Sequence, residues 1–277
     1  MGYVGAKFAP HQSSVVDTKK ETAYERVLRT GLLRCGYAMW PPLVLNKDPN
    51  TGELTGIAKD IIETAARNLS LKVEWVEETG WGDYPQGLNN GRFDVFCATS
   101  WQSSAKAREI RYTAPMFYNP VYAYVRADDK RFDNGFDILN DPQYKISGQD
   151  GEVSEFIASR FFPKASYVGQ PQLSELGLIF LNFATGKADI VFNAPDTADD
   201  FITKNPNTLK RVSIDPFMLS GTAYSVAMNE ANLQQMLDSA ILEMINNGTL
   251  NAILDNHKAP RDQFLRVAQP YQTVNKE

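Results

Sequence analysis

The chain has 277 residues and a mass of 31.0 kDa, room for one large domain or two moderate ones. Hydrophobic residues make up 43% and charged residues 22%, a globular balance that excludes a disordered chain. A net charge of −5 and a pI near 5.2 exclude nucleic acid as a partner, because phosphate binding needs a basic face, and they disfavour an anionic membrane surface.

Residues 1–18 lack the apolar core of a signal peptide, which taken alone implies a cytoplasmic protein; an export signal removed before Met1 is the alternative. No apolar stretch approaches the roughly 20 residues that span a bilayer. From Tyr24 to about Gly36 the pattern predicts a short helix and then a strand, Leu32-Leu33-Arg34-Cys35. Trp40-Pro41-Pro42 and Asn50-Thr51-Gly52 read as turns. Ile57, Ile61, Ala65, Ala66 and Leu69 recur at helical spacing, and Leu71 to Val76 alternates as a strand. A short helix ends near Gly91, and Phe93 to Ala98 reads as a buried strand.

The alternation resumes after about residue 122. Tyr144 to Ser147 is a strand; Val153, Phe156, Ile157 and Phe161 make a helical face. Ser174 reads as the N-cap of a helix that stops at Gly186, followed by the strand Ile190-Val191-Phe192. Ala223 to Met228 is a strand, and Leu233 to Ile245 a strongly periodic helix ended by Gly248, with Thr249 able to cap a last one. From Pro260 the chain reads as a polar, loop-like tail. Strand–helix alternation in two blocks predicts two α/β lobes with mainly parallel sheets and a short return.

Cys35 and Cys97 lie in apolar runs, which reads as two core thiols; a disulfide between them is the other reading. With His11 and His257 both near the ends, no Cys/His metal site assembles, and no loop has calcium-hand spacing. The chain has no Gly-x-Ser-x-Gly elbow, no phosphate loop and no Gly-x-Gly-x-x-Gly. No histidine stands beside a candidate nucleophile, and the pair Asp199-Asp200 reads as a solvated face. These absences predict a protein that is not an enzyme and has no cofactor.

Several strings, in order, carry a resemblance. Gly52 to Ile61 resembles the "G-x-x-x-G-x-x-x-D" signature of family 3 extracellular solute-binding proteins. Gly91-Arg92-Phe93-Asp94 resembles that family's "G-K-x-D", and Tyr112-Thr113-Ala114-Pro115 its "F-S-x-P". Gly151 with Glu155 resembles "G-x-x-x-E", Gly186-Lys187-Ala188-Asp189 resembles "G-x-A-D", and Asn247-Gly248-Thr249 resembles "x-G-T". The resemblance covers roughly residues 24 to 256. It implies the type II periplasmic binding protein fold, with lobe 1 over 24–120 and 217–258, lobe 2 over 121–216, and tails at 1–23 and 259–277. Hinge crossings are expected near 118–122 and 213–221, with a ligand cleft between the lobes.

Carried over residue by residue, the resemblance implies an altered cleft. Lys106 stands where an arginine grips the ligand carboxylate, with Arg108 two residues on; a lysine lacks the planar fork. Trp101 replaces a hydroxyl residue, with Thr99 and Ser100 beside it. The second-lobe "G-T-T" becomes Gly151-Glu152-Val153, followed by Ser154. The aspartate that holds the ligand ammonium aligns with Ala194, flanked by Asn193 and followed by Asp196. Trp40 and Trp81 match two aromatic positions that sandwich the ligand. The implied ligand-binding set is Trp40, Trp81, Thr99, Ser100, Trp101, Lys106, Glu152, Val153, Ser154, Asn193 and Asp196, with no catalytic residue and no metal ligand.

Three tryptophans with Glu152 suit a quaternary ammonium, a flat ring or a sugar face. Trp101 packing between lobes, Trp75 in the core, and Lys106, Arg108, Glu152 and Asp196 in solvent are the bland readings. The resemblance implies a monomeric periplasmic or lipid-anchored receptor that passes a small solute to an ABC permease. The alternatives are a sensing or partner-binding module of the same fold and an enzyme similar to cyclohexadienyl dehydratases, for which Thr197 occupies the position of the expected acid.

Overall fold

The computed structural model describes residues 21–268; residues 1–20, with His11, and residues 269–277 lie outside that range. Helix α1 (Ala23–Thr30) starts at a capping box in which Thr22 and Glu25 satisfy each other's free amides. Strand β1 (Leu32–Tyr37) follows, then the two-residue strands β2 (Asn46–Lys47) and β3 (Leu54–Thr55) around the Asn50-Thr51-Gly52 turn. Helix α2 (Ile57–Asn68) buries Ile57, Ile61, Ala65 and Ala66, the residues with helical spacing. Next come β4 (Lys72–Glu78), α3 (Tyr84–Asn89), β5 (Val95–Trp101) and β6 (Ile110–Tyr112). Residues 95–100 of β5 are all buried, as a central strand covered on both faces requires.

Strand β7 (Phe117–Arg126) leads into the second lobe: β8 (Lys145–Gln149), α4 (Val153–Phe161), β9 (Ser166–Gln170), α5 (Gly177–Ala184), β10 (Ile190–Asn193), α6 (Pro195–Lys204) and β11 (Leu209–Arg211). The chain returns through β12 (Met218–Ala227) to α7 (Ala231–Asn246), α8 (Thr249–Asn256) and β13 (Leu265–Arg266). Strands run in the order β4-β1-β5-β12-β7-β10-β8-β9. The outer trios β4-β1-β5 and β9-β8-β10 are parallel, and the two crossing strands pair antiparallel, Met218 opposite Val121 and Thr222 opposite Phe117. Two buried clusters sit on either side of this crossing, one around Ile61, Phe96 and Leu237, the other around Tyr124, Ile157 and Phe180.

Four sequence expectations are corrected. Cys35 and Cys97 form a disulfide with Cα atoms 5.4 Å apart, not two free thiols. Both are fully buried, so apolar context could not separate the readings; the parallel pairing that sets Cys35 opposite Val95 does. The polar tail beyond Pro260 contains β13, which pairs with β7, and Phe264, fully buried against Phe117. Ser174 closes a turn on Pro171 and α5 begins three residues later; Thr249 is the first residue of α8, its amide donating to the Asn247 side chain.

Candidate functional site

Between the lobes lies a cleft of about 690 Å³, counting the mouth open to solvent. Trp40, Trp81, Ser100, Trp101, Lys106, Glu152, Val153 and Asn193 line it, joined by Gln102, Ser103, Gly151, Phe156, Leu176, Met218 and Ser220. Met218 and Ser220 are on β12, where the chain crosses; the expected crossing at 213–221 was the signal that could have named them. Phe156 belongs to a helical face that reads as core, and the sequence carries no mark for Leu176.

Three other candidates do not line the cleft. Ser154 is fully buried and its hydroxyl donates to the Phe192 carbonyl at 2.6 Å, a tie between α4 and β10. Thr99 is fully buried with a φ of +67°, a strained setting for a β-branched residue, and its hydroxyl has no partner. The register of β12 against β5 shifts at this level, between Ala223 and Ser225, and such a bulge re-aims a strand end. Ser100 and Trp101, just beyond it, are the residues that reach the cleft. Asp196 is buried in the first turn of α6 with neither carboxylate oxygen partnered.

The indoles pack on one another at right angles. Trp40 stands 5.9 Å from Trp81 at 83° and 5.2 Å from Trp101 at 86°. The Trp101 indole N–H donates to Asn119 on β7 at 3.4 Å, and its ring touches both buried clusters, so this residue does pack between the lobes. Trp75 is outside the cleft, its N–H donating to Glu63.

Lys106 Nζ donates to two backbone carbonyls, Trp81 at 2.8 Å and Gly151 at 2.9 Å, and stands 4.7 Å from the Tyr84 ring centroid. One carbonyl belongs to each lobe. Burial lowers its pKa to about 8, opposed by Glu152 and Glu155. Arg108 is exposed. Glu152 caps α4, its side chain accepting from the Ser154 amide; burial pushes its carboxyl up to about 7 despite the Ser154 and Val153 amides and Lys106. Asp196 is also pushed up to about 7, by burial.

These two carboxyls have a consequence for stability. Their folded pKa values lie above the ordinary value of about 4, so between pH 4 and 7 the folded state holds more protons than the unfolded one. Stability is then greatest at the acid end and falls as pH rises through 7. Ligand-free protein is expected to unfold about 4 kcal/mol more easily at pH 7.5 than at pH 5.5, about 2 kcal/mol from each carboxyl, measured by urea denaturation. Asp196→Asn should remove about half of that difference; a slope unchanged in the variant would show that Asp196 does not carry it.

The motif carboxylates do structural work elsewhere. Asp94 pairs with Arg26 and Arg34, Asp189 accepts from the Lys145 amide and Arg131, and Asp60 meets His257 Nε2 at 2.7 Å. Among the described residues, no helix is long and apolar enough to cross a membrane, and no group of three His, Cys, Asp or Glu is placed to hold a metal ion.

The chain is similar to a probable amino-acid ABC transporter-binding protein of Haemophilus influenzae, 25% identical over 203 residues that cover 73% of this chain and 76% of that one. It is 24% identical to the L-cystine-binding protein of Bacillus subtilis over 208 residues, 74% of this chain and 73% of the relative. An ancestral amino acid-binding protein, a precursor of cyclohexadienyl dehydratase, superimposes with a TM-score of 0.72 at 21% identity, covering 85% of this chain and 99% of that one; the fold is that of the type II periplasmic binding proteins. The family model of bacterial extracellular solute-binding proteins, family 3, matches residues 33–259, and the chain belongs to that family.

Proposed function

We propose that the protein is the receptor of an ABC importer, working outside the cytoplasmic membrane as a monomer that captures one small polar solute and presents it to a permease. One observation carries this reading: a cleft built from both lobes, at the level where β7 and β12 cross, enclosed by apolar walls with a few polar groups. The relatives' names, an amino-acid transporter-binding protein and a cystine-binding protein, support the class of solute. Closure couples capture to shape, because lobe-to-lobe bonds form only when the cleft shuts. Gln172 of lobe 2 accepts from the Gly82 amide at 2.6 Å, and Gln263 of the returning chain donates to Asp199 at 2.8 Å.

Binding is favoured over turnover. A dehydratase needs a cation for its acidic substrate and a general acid facing it. Lys106 is committed to two carbonyls, and Thr197 offers a hydroxyl where that acid is expected. Thermal unfolding of ligand-stripped protein against amino acids, betaines, polyamines, sugars and aromatic acids tests the reading. A bound solute at a hundredfold excess over its Kd stabilises by about 2.7 kcal/mol, and Trp81→Ala should abolish the shift. Silence across the whole panel, or turnover of prephenate, would overturn the receptor reading.

A further inference from the structure

The polar groups of the cleft are unevenly satisfied, and the imbalance has a chemical sign. A zwitterionic amino acid needs a fixed cation for its carboxylate and a fixed anion for its ammonium. Lys106 is the one cation lining the cleft among the described residues, and two of its three N–H donors already serve the Trp81 and Gly151 carbonyls. It acts as a tether between lobes. Among the described residues no guanidinium lines the cleft to take its place.

Acceptors are in surplus. Glu152 lines the cleft with one oxygen held, at 3.4 Å, by the Ser154 amide. Asp196, 4% exposed, has both oxygens unpartnered, and it faces the indole of Trp40, which itself lines the cleft. The raised affinity of both carboxyls for protons is what unpaired buried acids show, and a bound cation would lower it. Asn193 adds a complementary demand. It lines the cleft, is 2% exposed, and its Oδ1 accepts from the Ala194 amide at 2.7 Å, which leaves its buried Nδ2 a donor without a partner. A ligand that satisfies this wall brings positive charge for the acids and an uncharged acceptor for Asn193. The indoles around it favour an ammonium at short range.

We infer that the cleft takes an organic ammonium whose polar remainder is uncharged, a hydroxyl or an amide, in preference to the matching zwitterionic amino acid. This rests on the receptor reading and narrows it to one solute class, with Lys106 as tether, Glu152 as the anion at the cleft wall, Asp196 as a second negative charge behind Trp40, and Asn193 as the donor.

Matched pairs test it by calorimetric titration at pH 7.5 of ligand-stripped protein: L-leucine with L-leucinamide, L-lysine with L-lysinamide, and L-phenylalanine with L-phenylalaninamide. Ethanolamine and choline complete the set. Each amide keeps the ammonium and a carbonyl acceptor and loses only the carboxylate. At least one carboxylate-free member should bind tenfold or more tighter than its acid, or, for the two amino alcohols, tighter than every acid. That preference should shrink at least tenfold in Glu152→Gln, which removes the acid at the cleft wall, and by a smaller factor in Asp196→Asn, which removes the charge behind Trp40. Asp196→Asn is nearly isosteric and removes an unpaired buried charge, so its folding is not at risk.

Tighter binding of the acids, or an amide preference untouched by both variants, would overturn the inference and leave a receptor for zwitterions. If only a sugar or a neutral ring from the wider panel binds, the ammonium class fails and the receptor reading stands. If nothing in either set binds, both fail.

Discussion

Replacing Cys35 and Cys97 together by alanine is expected to cost about 4 kcal/mol of unfolding free energy. The disulfide joins residues 62 apart and ties β1 to β5, so the enclosed stretch holds α2, β4 and α3. Cross-linking a loop of this length removes about 14 cal/mol/K of entropy from the unfolded chain in the loop-closure description, or about 4 kcal/mol at 25 °C. The native state should change little, because β1 and β5 remain held by their parallel pairing and by the buried residues around Leu33, Val95 and Phe96. Urea unfolding of the wild type and the double variant measures the difference. A change below about 1 kcal/mol would mean that the unfolded chain keeps this loop ordered without the bond, and the entropic account would be wrong. A structural disulfide in a protein of this size also fits an oxidising location outside the cytoplasm.

What could be read in advance divides along a physical line. Elements whose burial repeats along the chain were legible: α2 through Ile57, Ile61 and Ala65, and α7 through Leu233, Leu237, Ala240 and Met244. The family-like glycines were legible because positive φ values demand them, Gly91 at +70° and Gly186 at +78°. Features that exist only once distant segments meet were not. The Cys35–Cys97 bond depends on β1 and β5 becoming neighbours, and β13 is a two-residue strand marked only by Phe264. In the cleft, Trp40 and Trp81 stood out beside prolines and glycines in loops, and the altered positions Lys106 and Glu152 stood out against the family pattern. The role of Lys106 did not. A carbonyl from each lobe sits within 3 Å of its ammonium, and nothing in its sequence neighbourhood announces Trp81 or Gly151 as its partners. Asp196 and Ser154 were named for the ligand; neither lines the cleft, the first lying behind Trp40 and the second tying two elements of lobe 2.

Gly151 is where closure is most exposed to a single substitution. Its φ is +82°, and its carbonyl is one of the two that Lys106 holds. Its amide donates to Glu155 at 2.6 Å, which accounts for the "G-x-x-x-E" spacing as a turn closed at the start of α4. A Cβ at this position would lie 2.4 Å from the Gly82 nitrogen and 2.6 Å from its Cα, across the cleft in lobe 1. Those are backbone atoms, and Gly82 is itself held by Gln172, so neither side yields cheaply. Gly151→Ala therefore carries two costs: the left-handed backbone, about 1–2 kcal/mol in any state, and an overlap present only when the lobes meet. An overlap of this kind costs about 3 kcal/mol, which falls on the closed state alone and weakens ligand binding about 100-fold. Gly91→Ala is the matched control, since Gly91 has a similar φ of +70° but nothing within 4 Å of the added carbon. Both variants should lose comparable unfolding stability without ligand, while only Gly151→Ala loses affinity and keeps a larger radius of gyration when solute is added. Equal affinity in the two variants would show that solute capture does not require the Gly82–Gly151 approach, and the closing motion would have to be sought about a different contact.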